Sequence, residues 1–193
     1  PIKQIIGKTK EEKTRDDLKL VHKNAKRLLG LINQLLDISK IESGNMKLQA
    51  CPMNLVSSLK AMVLSFTSYA ERKRIILKFN SDYNEIIAYI DKDKIDKIIT
   101  NVLSNAFKFT PEGGEILVSV LTHPVKPFYK EGAEGGINII VADTGPGIPP
   151  DKVKRVFDRF YQADDSSTRP GEGTGVGLAL TRELVKLMGG EIG

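Results

Sequence analysis

The sequence predicts an α+β fold: a two-layer α/β sandwich, with a mixed sheet covered by helices on one face, preceded by a long bundle-forming helix. Three observations predict it. Residues 16–43 repeat apolar side chains at heptad spacing, and residues 115–121 alternate apolar with polar. Between and beyond them, helical and strand-like segments interleave in an order that suits a mixed sheet. The 193 residues, 40% hydrophobic and 27% charged, suffice for one domain or a domain plus an appendage.

Residues 16–43 read as one helix. Leu18, Val21, Ala25, Leu28, Ile32 and Leu35 follow a 3-4-3-4-3 spacing, and Leu29 and Leu36 widen the stripe toward a four-helix bundle. Such a stripe needs a partner: a second copy in a dimeric bundle, or the remainder of this domain. Residues 1–8 offer only a short stub. Gly44 is placed to cap the helix end. A short strand is expected at 46–50, then a helix from an Asn54 cap to about Arg74. Strands are expected near 75–80 and 85–90. Asp91 opens a helix to Phe109 whose buried face carries Ile95, Ile98, Ile99, Val102, Leu103 and Ala106. A turn at Pro111 leads to strand 115–121, a surface loop at 123–136 and strand 137–142. The glycine- and proline-rich stretch 143–173 is too long for an ordinary connector and reads as a binding loop or lid. A helix follows at 174–188, stopped by Gly189-Gly190, and a further strand starts at Glu191.

Composition narrows the function. The net charge of +5 is spread among interleaved acids and bases. With no basic stripe or aromatic platform, direct nucleic-acid binding is not expected. Cys51 has no partner for a disulfide, and neither His22 nor His123 has neighbours at metal-ligand spacing. No run approaches the roughly 18 apolar residues that span a membrane, so any spans lie outside this segment.

Three motifs carry the chemistry. Asp143-Thr-Gly-Pro-Gly-Ile148 follows a strand directly. Gly145 and Gly147 let the backbone approach a flat ligand, and the Asp143 carboxylate suits an exocyclic amine such as that of adenine. Taken alone, the segment also fits a plain turn. Gly171-Glu-Gly-Thr-Gly-Val-Gly-Leu178 opens a helix, whose free N–H groups and positive partial charge suit phosphate. Asn101-Val-Leu-Ser-Asn-Ala-Phe-Lys-Phe109 places Asn101, Asn105 and Lys108 at i, i+4 and i+7 on one helix face. Asn105 offers an oxygen to Mg²⁺, which keeps most of its shell as water and phosphate, and Lys108 neutralises phosphate charge.

Together these segments resemble the catalytic and ATP-binding domain of sensor histidine kinases, within the superfamily that includes gyrase, the HSP90 chaperones and MutL. Residues 101–109 resemble the N box, 143–148 the G1 box, Val156-Phe-Asp-Arg-Phe-Tyr-Gln162 the F box, and 171–178 the G2 box. Residues 31–44 resemble the second helix of the family's dimerisation and phosphotransfer domain, and 157–178 are similar to hybrid sensor kinases of Bacteroides-type bacteria. The resemblance implies ATP and Mg²⁺ as cofactors. Asp143 would bind the adenine amine and Asn105 the metal. Asn101 and Lys108, the candidate catalytic residues, would face the phosphates, with Phe109 beside the nucleotide. Gly145, Gly147, Gly173, Gly175 and Gly177 would shape the pocket, with Ile148, Thr174, Val176 and Leu178 along it. Residues 149–172 would form a lid anchored by Phe157 and Phe160.

The hydrolytic relatives carry Glu four residues before the metal-binding Asn, where it activates water. Asn101 cannot serve as that base, which favours phosphoryl transfer to a protein side chain. The resemblance implies an acceptor histidine just before residue 1, with Pro1-Ile2 as the tail of its motif; His22 lacks the flanking residues. It further implies a partial helical hairpin at 1–45, although only about ten residues separate Gly7 from Leu18. The catalytic domain would occupy 46–193, its last strands lying beyond Gly193. A homodimer, a response-regulator partner and a cytoplasmic position beneath a membrane sensor complete the expectation. A degenerate, non-enzymatic regulator and an anti-sigma-type serine kinase are the alternatives.

Overall fold

The computed structural model describes residues 2–122, 136–162 and 174–193. The expected loop at 123–136 and His123 therefore fall almost wholly outside the described residues, as do lid residues 163–172, with Gly171, and Gly173.

The long helix α1 runs from Ile2 to Glu42 without interruption. The expected stub at 1–8 is thus continuous with the helix. No proline interrupts residues 2–42, and Gly7 alone costs a helix only about 1 kcal/mol relative to Ala. Gly44 ends it as expected, at φ +69°, with the Asn45 and Met46 amides returning to the Lys40 carbonyl.

The helix is two-faced. Ile38 is buried, and Leu31 and Ile41 pack against the main core. The heptad stripe of Val21, Leu28 and Ile32 stays exposed, about 110° away at roughly 100° per residue. One stripe therefore folds onto the domain, and another has no partner among the described residues.

Strand β1 is Cys51–Asn54, not the expected 46–50. It pairs antiparallel with β3, Ile87–Ile90, and that pairing selects its position. Pro52 donates no bond, as an edge strand allows. Asn54 does cap a helix, but the expected single helix is two: α2, Leu55–Ser65, and α3, Thr67–Lys73. The break falls at Phe66, whose ring stacks on Phe107 at 5.6 Å, while Tyr69 meets the same ring edge-on at 5.2 Å. That aromatic cluster, a tertiary contact, overrides a helical run that holds no glycine or proline.

The main sheet orders β2 (Ile76–Ser81), β4 (Glu115–Leu121) and β5 (Asn138–Asp143), with β2 parallel and β5 antiparallel to β4. Ile116, Val118 and Val120 of the central strand are fully buried, as their alternation predicts. Their cross-strand neighbours Leu77, Phe79, Val141 and Ile139 face the same way. Helices α2 and α3 lie against β2, and α4, Lys92–Phe109, lies against β5. Helix α5, Gly177–Leu187, packs on α4, and α1 packs on α5. The sheet is mixed and its opposite face stays open at Ile76 and Ile140. Helix α5 starts three residues later than expected, because Gly175 holds φ +67°, outside the helical region. Residues 191–193 form no strand, contrary to expectation: no ladder pairs them with the sheet.

Candidate functional site

Asp143 is the last residue of β5, so its exposed carboxylate stands where the strand ends. Its Oδ1 accepts the Gly145 amide at 2.8 Å and fixes the turn. A Cβ on Gly145 would come within 2.6 Å of that oxygen and 3.1 Å of the Phe109 carbonyl. A side chain there would displace the Asp143 carboxylate from the turn, and the turn is seated directly on the end of α4. Gly147 takes φ +73°, a conformation that favours glycine. Thr144 fastens the turn from beneath: its hydroxyl accepts the Glu115 amide at 2.9 Å, and its own amide donates to Glu115. Sequence reading missed Thr144, which the Asp-Thr-Gly triplet disguises as a spacer.

Helix α4 carries the second group. Asn105 is half-buried, and its side chain forms no hydrogen bond among the described residues. Lys108 lies over the Phe109 ring, 4.5 Å from its centroid. Phe109 is exposed, as are Ile148 and Phe160, so three apolar side chains from the predicted site face outward.

The third group lies at the start of α5. Val176 is buried, and no side-chain hydrogen bond caps the helix. The Thr174 hydroxyl accepts the Val176 amide at 3.3 Å. Gly177 and Leu178, the first two helical residues, are half-buried. Gly175 sits so close to Phe160 that a Cβ would lie 2.6 Å from its carbonyl carbon, and the Phe160 amide donates to the Gly175 carbonyl at 2.8 Å. Phe160 itself holds φ +63°. The end of the F segment and the glycine segment are thus clasped backbone to backbone, which leaves no room for a side chain at 175.

The three groups meet through α4. Phe109, at its C-terminal end, touches the Gly145 turn. Asn101, two turns earlier, donates from Nδ2 to the Gly177 carbonyl at 3.4 Å and to the Thr181 hydroxyl at 3.5 Å. Helix α1 reaches the same assembly by two ion pairs. Asp37 meets Lys97 at 2.5 Å, and Glu42 meets Arg159 of the F segment. Between α1, α4 and α5 opens a cleft of about 530 Å³, lined by Asp37, Lys97, Asn101 and Leu180 among others. It borders Asn101 but not Asp143 or the Gly145 turn.

A carboxylate at a strand end, apolar side chains beside it, a free carboxamide and an uncapped helix start form a surface with adenine, metal and phosphate chemistry in sequence. The chain belongs to the histidine kinase-, DNA gyrase B- and HSP90-like ATPase family, whose model matches residues 90–193. Within that family it is the catalytic domain of a sensor or hybrid histidine kinase with its preceding helix. It is 40% identical, over all of its length, to hybrid signal transduction histidine kinase D of Dictyostelium discoideum, and covers 13% of that protein. It is similar to full-length ShkA in complex with AMPPNP, at a TM-score of 0.68 and 28% identity, across 84% of this chain and 31% of ShkA. The fold also matches histidine kinase ThkA, crystallised with the response regulator protein TrrA, at a TM-score of 0.60 and 18% identity, covering 84% of this chain and 43% of ThkA. The chain thus spans a small part of the curated relative it matches. Among the described residues, no helix is long and apolar enough to cross a membrane.

Proposed function

We propose that this segment binds Mg·ATP and transfers the γ-phosphoryl group to a histidine upstream of residue 1, from which it passes to a response-regulator aspartate. One observation carries the reading: helix α4 touches both glycine motifs, the Gly145 turn at one end and the start of α5 through Asn101. That ties an amine-binding carboxylate at the end of β5 and a phosphate-binding start of α5 to the helix that carries the metal donor.

In this reading Asp143 accepts the adenine amine, with Gly145, Gly147 and Ile148 against the base and Phe109 and Phe160 flanking it. Asn105 holds Mg²⁺ together with phosphate and water, and the bound ion neutralises phosphate charge. Among the described residues no group of three His, Cys, Asp or Glu side chains could hold a metal, which suits an ion held largely by the nucleotide itself. Lys108 leaves the Phe109 ring to meet the phosphates. The amides of Gly177 and Leu178 receive phosphate oxygens, with Thr174, Gly175 and Val176 shaping the approach; Gly173 joins them from the sequence pattern alone. With Asn in place of Glu at 101, no carboxylate on this face of α4 activates water, so the acceptor is a side chain.

Residues 1–45 serve the dimerisation and phosphotransfer unit and 46–193 the catalytic domain. The exposed stripe of Val21, Leu28 and Ile32 is the homodimer seam, in a protein acting in the cytoplasm beneath a membrane sensor. The ThkA–TrrA complex and the AMPPNP complex of ShkA support the response-regulator and nucleotide assignments. The test is labelling with γ-labelled ATP. This chain should take up no acid-labile phosphate, and a version extended upstream through the histidine should take it up. Acid-labile label on the chain itself would overturn the upstream acceptor.

A further inference from the structure

We infer that Asn101 is a positioning residue: together with Thr181 it fixes the first turn of α5 against α4, and so sets the spacing between the metal donor Asn105 and the phosphate-binding amides. The inference rests on the nucleotide reading above and gives Asn101 a role its place in the motif does not suggest.

The geometry commits the Asn101 amide nitrogen to the protein. Its Nδ2 donates to the Gly177 carbonyl at 3.4 Å and to the Thr181 hydroxyl at 3.5 Å. The Thr181 hydroxyl donates in turn to the same Gly177 carbonyl at 3.0 Å. The three groups close a small ring of hydrogen bonds around the first residue of α5. The flat of the carboxamide also lies against Gly177, where a Cβ would stand 3.5 Å from Oδ1 and 3.6 Å from Cγ. Thr181 is fully buried one turn into the helix, so it can reach no ligand directly. A buried hydroxyl in a core cluster otherwise built of Val176, Ala179, Leu180 and Leu184 needs a polar reason, and Asn101 is its partner from outside the helix.

This ring matters because α5 has no side-chain cap to hold its start. A capped helix is anchored by the residue that precedes it. Here the anchoring comes from the side, through the carbonyl of the first helical residue, and leaves the first amides unobstructed. Asn105 lies one turn beyond Asn101 on α4, so the tether acts at the correct level to align the two halves of the site. Aspartate or glutamate at 101 would put a charge on the Gly177 carbonyl oxygen, which only a donor can satisfy.

The experiment compares Asn101→Ala, Thr181→Val, the double variant and Thr181→Ser in the whole chain. Hydrogen exchange at Leu180, whose amide closes the first turn of α5 on the Val176 carbonyl, is measured without nucleotide, and binding of Mg·AMPPNP and of adenosine by calorimetry. Each of the first two variants should speed exchange and weaken AMPPNP binding by about three- to tenfold, the scale of one lost hydrogen bond. Adenosine binding should stay at the wild-type value. The double variant should be no worse than the poorer single one, and Thr181→Ser, which keeps the hydroxyl, should behave as wild type. If Asn101→Ala weakens AMPPNP binding while Thr181→Val and α5 exchange match the wild type, Asn101 touches the phosphates directly and the inference falls. Additive losses in the double variant would overturn it too. Failure of the wild type to bind AMPPNP would sink the nucleotide reading, and the exchange arm would still decide the tether. Thr181→Val, nearly isosteric, keeps the test open should Asn101→Ala fail to fold.

Discussion

Helices α4 and α5 pack on each other, yet they begin in opposite ways. At the start of α4, Asp91 is 4% exposed and its carboxylate is fully used: Oδ1 accepts the Lys94 amide at 3.3 Å and Oδ2 the Gln49 amide at 2.9 Å, with the Lys94 ammonium 3.6 Å away. At the start of α5 no side chain caps the helix, and its anchoring comes sideways from Asn101. A helix start that serves only the fold satisfies its amides internally, because unmet N–H groups there cost stability. A start that serves an anionic ligand leaves them open and finds support elsewhere. On the proposed nucleotide reading, the contrast separates residues that serve the fold from residues that serve the ligand.

The largest effect should come from breaking the structural start. Asp91→Ala removes the α4 cap and leaves the Gln49 amide without its partner in a buried place. Stability to urea should drop by about 2–3 kcal/mol, the sum of a lost cap and an unsatisfied donor. Nucleotide affinity of the protein that remains folded should not change. A drop in affinity matching the drop in stability would mean that the two helix starts are not separable.

The converse change closes the functional start. Thr174→Asp keeps an acceptor for the Val176 amide and adds a negative charge at the uncapped end of α5. Folding stability should move by no more than about 0.5 kcal/mol, as for most surface substitutions. Affinity for Mg·ATP should fall by about tenfold, since the charge occupies the positive end of the helix and repels phosphate. The loss should shrink at high salt. Unchanged affinity would remove the α5 start from the site.

How much of this was legible beforehand follows the same division. The alternation at 115–121, the Asp91 start, the Gly44 and Gly189 ends and the three motifs are local signals, and local signals survive folding. The break at Phe66 was not legible, because it depends on a ring from α4 that only packing brings near. Strand β1 slid from 46–50 to Cys51–Asn54 because its partner β3, and not its own composition, fixed the register. At the site, the sequence supplied the residue types but not their divisions of labour. Gly175 looks like a ligand-approach glycine, yet it faces the Phe160 backbone. Thr181 carries no motif at all, and Glu42 and Arg159 are 117 residues apart, beyond what any periodicity links.

The smallest effect concerns the charge on the α4 cap. Burial pushes the Asp91 carboxyl up. The Gln49 and Lys94 amides, the Lys94 ammonium and the Asp93 amide pull it down and win, so the folded value lies below the ordinary 3.8. A carboxyl that is more acidic in the folded state binds fewer protons there than in the unfolded chain. Its stabilisation is therefore complete above 3.8 and is lost as pH falls through the lower folded value. Unfolding free energy measured between about pH 6 and pH 2 should decline in both wild type and Asp91→Asn, since other carboxylates also titrate, but less steeply in the variant. The gap between the two curves isolates Asp91: it should be full above 3.8 and close as pH falls below that value. Asparagine can still accept from the Lys94 amide. Parallel curves would therefore mean that the cap acts through its hydrogen bonds alone, and the contrast with α5 would then be one of amide satisfaction and not of charge.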